Sequence, residues 1–151
     1  MPTAFRLVLI LIGCSPVFAL ADGPIADGLV GAYIAIVAAF VAATMRPIEA
    51  SHLAGLLRPL AVGAAVPACW IIVQVLPMPI KALAHPIWQS AEEALGVPLF
   101  GKISVEPGAT MIAFSRFLAA MGVIFAATAV SIDRQRAERL QSWLAGVATL
   151  I

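Results

Sequence analysis

The chain has 151 residues, 62% of them hydrophobic and 11% charged, with a net charge of +1 and a mean hydropathy of +1.03. Soluble domains are about half apolar and about a quarter charged, and a chain this short cannot hide so much apolar surface from water in its own core. Composition therefore excludes an ordinary water-soluble globule, and the near-neutral charge supplies no basic stripe for nucleic acid.

The first apolar run covers 7–21, after a short start that carries Arg6. Ala19-Leu20-Ala21 has the form of a signal-peptide cleavage site, and Leu11-Ile12-Gly13-Cys14 has that of a lipoprotein processing box. We expect instead an uncut first span, because further spans follow and the first one sets their orientation. Cys14 and Cys69 each fall inside an apolar run, so they read as buried thiols rather than a disulfide framework.

An acidic turn with Asp22 and Asp27 precedes a second span at 28–45, which holds no charge and is long enough to cross about 30 Å of hydrocarbon. Gly31, Ala35, Ala39 and Ala43 recur every fourth residue. They predict a small-residue stripe on which a partner helix packs closely. A connector containing Arg46, Glu49 and His52 leads to a third span at 58–76, where Arg58 is an interface anchor that snorkels to the near boundary. Pro67 should bend that helix.

Residues 77–109 form the one long polar interval, with both Lys residues of the chain. Within it, His85-Pro86 can open a short helix to Leu95, stopped by Gly96 and Pro98. Its apolar face holds Ile87, Trp88, Ala91, Ala94 and Leu95. That pattern predicts a surface helix with Trp88 as an interface anchor at headgroup depth. Glu92 and Glu93 read as a solvated face, since helix neighbours diverge by about 100°. His85 has no second ligand at metal spacing, so neither a metal nor another cofactor is expected.

A fourth span follows at 110–130. Arg116 lies six residues past Thr110, about 9 Å into the predicted helix. It either snorkels to the outer interface or faces the bundle and holds an anionic group. A charged connector at 131–139 then leads to a short apolar segment at 140–151, read as the start of a fifth span. The fold class is thus all-α: a polytopic transmembrane bundle of about four spans plus a truncated fifth, with a short surface helix.

Positive charge orients the bundle. Arg6, Arg46, Arg58, Arg134, Arg136 and Arg139 fall on one set of connectors, and only Lys81 and Lys102 on the other. The N-terminus is therefore expected in the cytoplasm, with 77–109 on the opposite side.

The run HPIWQSAEEALG, then ISVEPGAT, a span opening MIAFSRFLAAMGVIFA, and SIDRQRAERL resembles the N-terminal part of bacterial O-antigen ligase and O-antigen polymerase family proteins. The residues that carry the resemblance are His85, Pro86, Trp88, Ile103, Ser104, Pro107, Thr110 and Arg116. It implies an inner-membrane protein of lipopolysaccharide biosynthesis, with 77–109 in the periplasm and undecaprenyl-diphosphate-linked glycans as donors for a metal-independent transfer. Arg116 then becomes a candidate contact for a lipid-linked phosphate, because a guanidinium suits phosphate geometry. No catalytic residue carries over, so the chain is expected to be a membrane portion that is not catalytic alone. Its partners would be membrane lipids, a lipid-linked glycan and other helices. The alternatives are a small inner-membrane protein that binds partner helices through the 31/35/39/43 stripe, and a lipoprotein processed at Cys14.

Overall fold

The computed structural model describes residues 2–20 and 23–149. Every regular element among them is helical: α1 (Pro2–Leu20), α2 (Pro24–Thr44), α3 (Pro47–Val75), a 3-10 turn (Lys81–Leu83), α4 (Ile87–Leu95), α5 (Pro107–Val130) and α6 (Arg134–Ala148). Among the described residues, three helical stretches are long and apolar enough to cross a membrane: Ile25–Thr44, Pro47–Val75 and Pro107–Val130. Thr3–Cys14 in α1 is a shorter apolar stretch. Ala21 of the cleavage motif, Asp22 of the acidic turn, and the last two residues of the 140–151 segment lie outside the described residues.

Helix starts fall earlier than the hydropathy pattern predicts, each for a local reason. The second helix begins at Pro24 rather than Gly28. Proline is at ease in the first turn, where its missing N–H is not needed, and Asp27 sits in that turn against the positive end of the helix. The third begins at Pro47, so the expected connector is largely helical. There the Glu49 carboxylate accepts the Arg46 backbone N–H at 3.1 Å, the backward reach of a capping-box acid. The fifth begins at Pro107 rather than Thr110, and the Thr110 N–H and hydroxyl both donate to the Glu106 carbonyl at 3.1 Å. In α6 the charged residues from Arg134 form the first turns of the helix that continues through the apolar segment. Asp133 caps it by accepting the Gln135 N–H at 3.0 Å.

The chain divides into two compact units, Met1–Arg58 with Arg116–Ile151, and Pro59–Ser115. In the first, the buried core draws Ala4, Phe5 and Val8 from α1, Val37 and Val41 from α2, and Leu53 from α3. Ala126, Ala129 and Val130 come from α5 and Leu140 from α6. These are the early residues of α1, α3 and α6 and the late residues of α2 and α5. The core therefore gathers where the arginine-bearing connectors lie. The Tyr33 hydroxyl donates to the Leu7 carbonyl at 3.1 Å, tying α2 to α1.

The second unit holds most of α3, the 77–106 loop with α4, and the first turns of α5. Little of it is buried: the most apolar window of α3 has no buried residue at all. Water would penalise a long helix so uncovered at about 25 cal/mol per Å², whereas hydrocarbon would not. The exposure thus agrees with the composition, and both fit a multi-pass membrane protein. It also corrects the expectation for the cysteines, which are free but not buried. Cys14 is half-buried, and Cys69 is exposed on the uncovered flank of α3.

Candidate functional site

Arg116 lies nine residues beyond Pro107 in α5, which is about 14 Å along the helix and three residues deeper than the sequence predicts. Its guanidinium meets the first turn of α2. Nη2 donates to Asp27 Oδ2 at 2.7 Å and Nε donates to the same oxygen at 3.3 Å. Both donors converge on one carboxylate oxygen of Asp27. The Arg116 side chain is still 66% exposed while that of Asp27 is 33% exposed. The site is a solvent-accessible cation held by a carboxylate. Sequence reading singled out Arg116 but missed Asp27, whose only signal is an acid in a first turn on the same side of the expected topology.

The loop of the second unit is built on its own backbone. Met78 N–H donates to Gly101 O at 2.8 Å, His85 N–H to Lys102 O at 2.9 Å, and Ser104 N–H to Gln74 O at 3.0 Å. The returning segment 101–104 therefore runs beside the segment that leaves α3. A short helix forms where predicted, as α4. Gly96 takes φ 66° and ψ 18° beyond its last turn and donates its N–H to Glu92 O at 2.9 Å. At the other end, His85 Nδ1 accepts the Ile87 N–H at 3.2 Å, so this histidine serves as a helix cap.

Trp88 is half-buried, and its indole N–H donates to Ser104 O at 3.1 Å. It fastens α4 to the returning segment as well as presenting an aromatic edge. Phe100, not singled out from the sequence, is 81% exposed. Arg58 is exposed eleven residues into α3. The stretch from Arg58 to Val75 measures about 27 Å and all of α3 about 43 Å, so the span length left beyond Arg58 approaches the hydrocarbon thickness of about 30 Å.

Along the α2 stripe, Gly31 is partly buried and Ala35, Ala39 and Ala43 are exposed. A Cβ at Gly31 would meet nothing within 4 Å. The close approach of α2 and α5 is made elsewhere, where a Cβ at Gly122 would come within 2.7 Å of Ile34 Cγ2. Among the described residues, no three of His, Cys, Asp and Glu gather as they would around a metal ion. No family model, curated protein or solved structure matches the chain.

Proposed function

We propose that the chain is a multi-pass inner-membrane protein that holds the phosphate of a lipid-linked glycan at Arg116 on the periplasmic side. The observation that carries this reading is the Arg116 guanidinium, which pairs with Asp27 and whose side chain is 66% exposed. The resemblance to the O-antigen ligase and polymerase family supplies the class of ligand, an undecaprenyl diphosphate. The chain's part is to bind and position. No nucleophile and base are paired among the described residues near Arg116, and the transfer is assigned to residues outside the stretch that resembles the family.

Titrating the purified protein with undecaprenyl diphosphate and with the uncharged alcohol undecaprenol tests the reading. The diphosphate is expected to bind at least about tenfold more tightly, the factor that corresponds to one charge-assisted contact. Equal retention of the two would overturn it. A second reading, a structural protein that binds partner helices, is favoured by the outward-facing Ala35, Ala39 and Ala43. It would be supported by a protein that shows no diphosphate preference and purifies as an oligomer.

Orientation follows from the distribution of arginines. With a cysteine at Ser90 or at Gln135 in a background lacking Cys14 and Cys69, a membrane-impermeant thiol reagent is expected to label Ser90→Cys in intact cells and to spare Gln135→Cys until the membrane is opened. The opposite pattern would invert the topology.

A further inference from the structure

The periplasmic reading leaves the other end of the first unit unexplained, and there the side chains form a second polar site. Near their starts, α1 and α6 pack side by side, with Leu140 buried against the core to which Ala4, Phe5 and Val8 belong. Farther along both helices, a Cβ at Gly13 would lie 3.7 Å from the Trp143 ring. The two helices therefore run in the same direction.

Between their first turns lies a cleft of about 420 Å³, walled by Phe5 and Leu9 and bordered by Arg6, Arg136 and Arg139 together with Asp133 and Gln135. A neighbouring cleft of about 620 Å³ continues from Phe5, Leu9 and Arg139 to Trp143. These volumes fall within the range of about 300–1,000 Å³ typical of small-molecule sites.

The charges in this cleft are not balanced from within. Three guanidiniums face the one Asp133 carboxylate in the narrower part. Asp133 sits 3.6 Å from Arg136, and Glu138 of the neighbouring cleft is engaged by Arg134 at 3.2 Å. Among the described residues, Arg6 and Arg139 have neither an ion pair nor a side-chain hydrogen bond. They come from different helices and border the same space. The walls are as informative as the charges. Phe5 and Leu9 belong to an apolar helix, so a ligand in this cleft meets cations at one end and a hydrocarbon surface along its side.

We propose that this cleft binds the headgroup of an anionic phospholipid from the leaflet on the arginine-rich side, with acyl chains against α1. A phosphodiester supplies the negative charge that Arg6 and Arg139 lack, and guanidiniums bind phosphate by geometry as well as charge. Basic recesses between membrane helices take lipid headgroups on this principle. The lipid fills the cleft between α1 and α6 and so braces the helix pair.

Native mass spectrometry of the intact protein, equilibrated in detergent with phosphatidylglycerol or phosphatidylcholine of equal chain length, tests the proposal. The wild type is expected to retain phosphatidylglycerol preferentially. Arg6→Gln with Arg139→Gln is expected to lower that preference about 25-fold, from about fivefold for each basic residue near a membrane surface. Arg6→Lys with Arg139→Lys is expected to keep most of it, and Arg46→Gln, on the same side but outside the cleft, all of it.

No lipid preference in the wild type, or an undiminished preference in the Gln pair, would overturn the proposal. Loss in the Arg46→Gln control equal to that in the Gln pair would reduce the effect to net charge and would also overturn it. Competition by inorganic phosphate at concentrations comparable to the lipid would show a site for soluble anions, against the lipid. Because this end is separate from Arg116, a failure here leaves the undecaprenyl diphosphate reading untouched, and the reverse also holds.

Discussion

Replacing Arg116 with alanine is expected to lower the affinity for undecaprenyl diphosphate by about tenfold or more, while Asp27→Asn is expected to raise it severalfold. The two signs follow from one geometry. Arg116 presents Nε and Nη2 to a single oxygen of Asp27, and its side chain is still 66% exposed. A phosphate approaching the guanidinium gains a charge-assisted contact worth about 1.5–3 kcal/mol. It also meets the Asp27 carboxylate, a like charge that opposes it. Removing the arginine forfeits the contact, whereas turning Asp27 into its neutral isostere removes the opposition.

Stability should move differently from binding. An ion pair this exposed contributes about 0–1 kcal/mol in water, and an arginine left without its carboxylate in a less polar setting costs up to about 3 kcal/mol. Asp27→Asn is therefore expected to be the less stable protein and the better binder. Measuring affinity and thermal unfolding on the same preparations checks this. A fall in affinity for both variants would mean that the pair serves only to join α2 to α5. Arg116→Lys is expected to keep part of the affinity, since it retains the charge and loses the fork.

Gly101→Val is expected to unseat the 77–106 loop. A Cβ at this position would lie 2.5 Å from the Ala84 Cβ and 3.9 Å from the Trp88 Cβ. The first distance is shorter than carbon atoms tolerate, and alanine offers no flexible end to move aside. The backbone must yield, and with it the Gly101 carbonyl that accepts from Met78 and the neighbouring Lys102 carbonyl that accepts from His85. Overpacking costs about 1–3 kcal/mol, and each lost hydrogen bond adds about 1 kcal/mol. Limited proteolysis of the loop in detergent is expected to accelerate about a hundredfold. Unchanged proteolysis would show that the segment 101–104 does not restrain α4.

Membrane character and the short helix α4 were legible because each rests on local chemistry. Composition alone demands lipid, and His85-Pro86 and Gly96-Val97-Pro98 bracket α4 whatever surrounds it. Helix starts at Pro24, Pro47 and Pro107 were less legible, because hydropathy marks where the apolar run begins while the helix begins where its first turn is satisfied. The Glu49 carboxylate on the Arg46 N–H is such a case. The Asp27–Arg116 pair was illegible for another reason: 89 residues separate the partners, and no periodicity relates the first turn of one span to the third turn of another. The small-residue stripe was legible as spacing, and Ala35, Ala39 and Ala43 face outward. Spacing on α2 identifies a face smooth enough for close approach, but the approach within this chain is made by Gly122 against Ile34.

The two prolines inside α3, Pro59 and Pro67, leave a debt in its backbone. Neither can donate an N–H, so the carbonyls four residues earlier, at Gly55 and Gly63, lose their usual intrahelical partners. Each of those carbonyls belongs to a glycine, with no side chain of its own to shield it. In hydrocarbon, an acceptor without a donor costs several kcal/mol, so the helix is solvated from outside or it bends to share neighbouring donors. The first of these missing rungs coincides with the boundary between the compact units at Arg58 and Pro59. The third helix is thus both the least covered span of the protein and the one whose backbone most invites hydration.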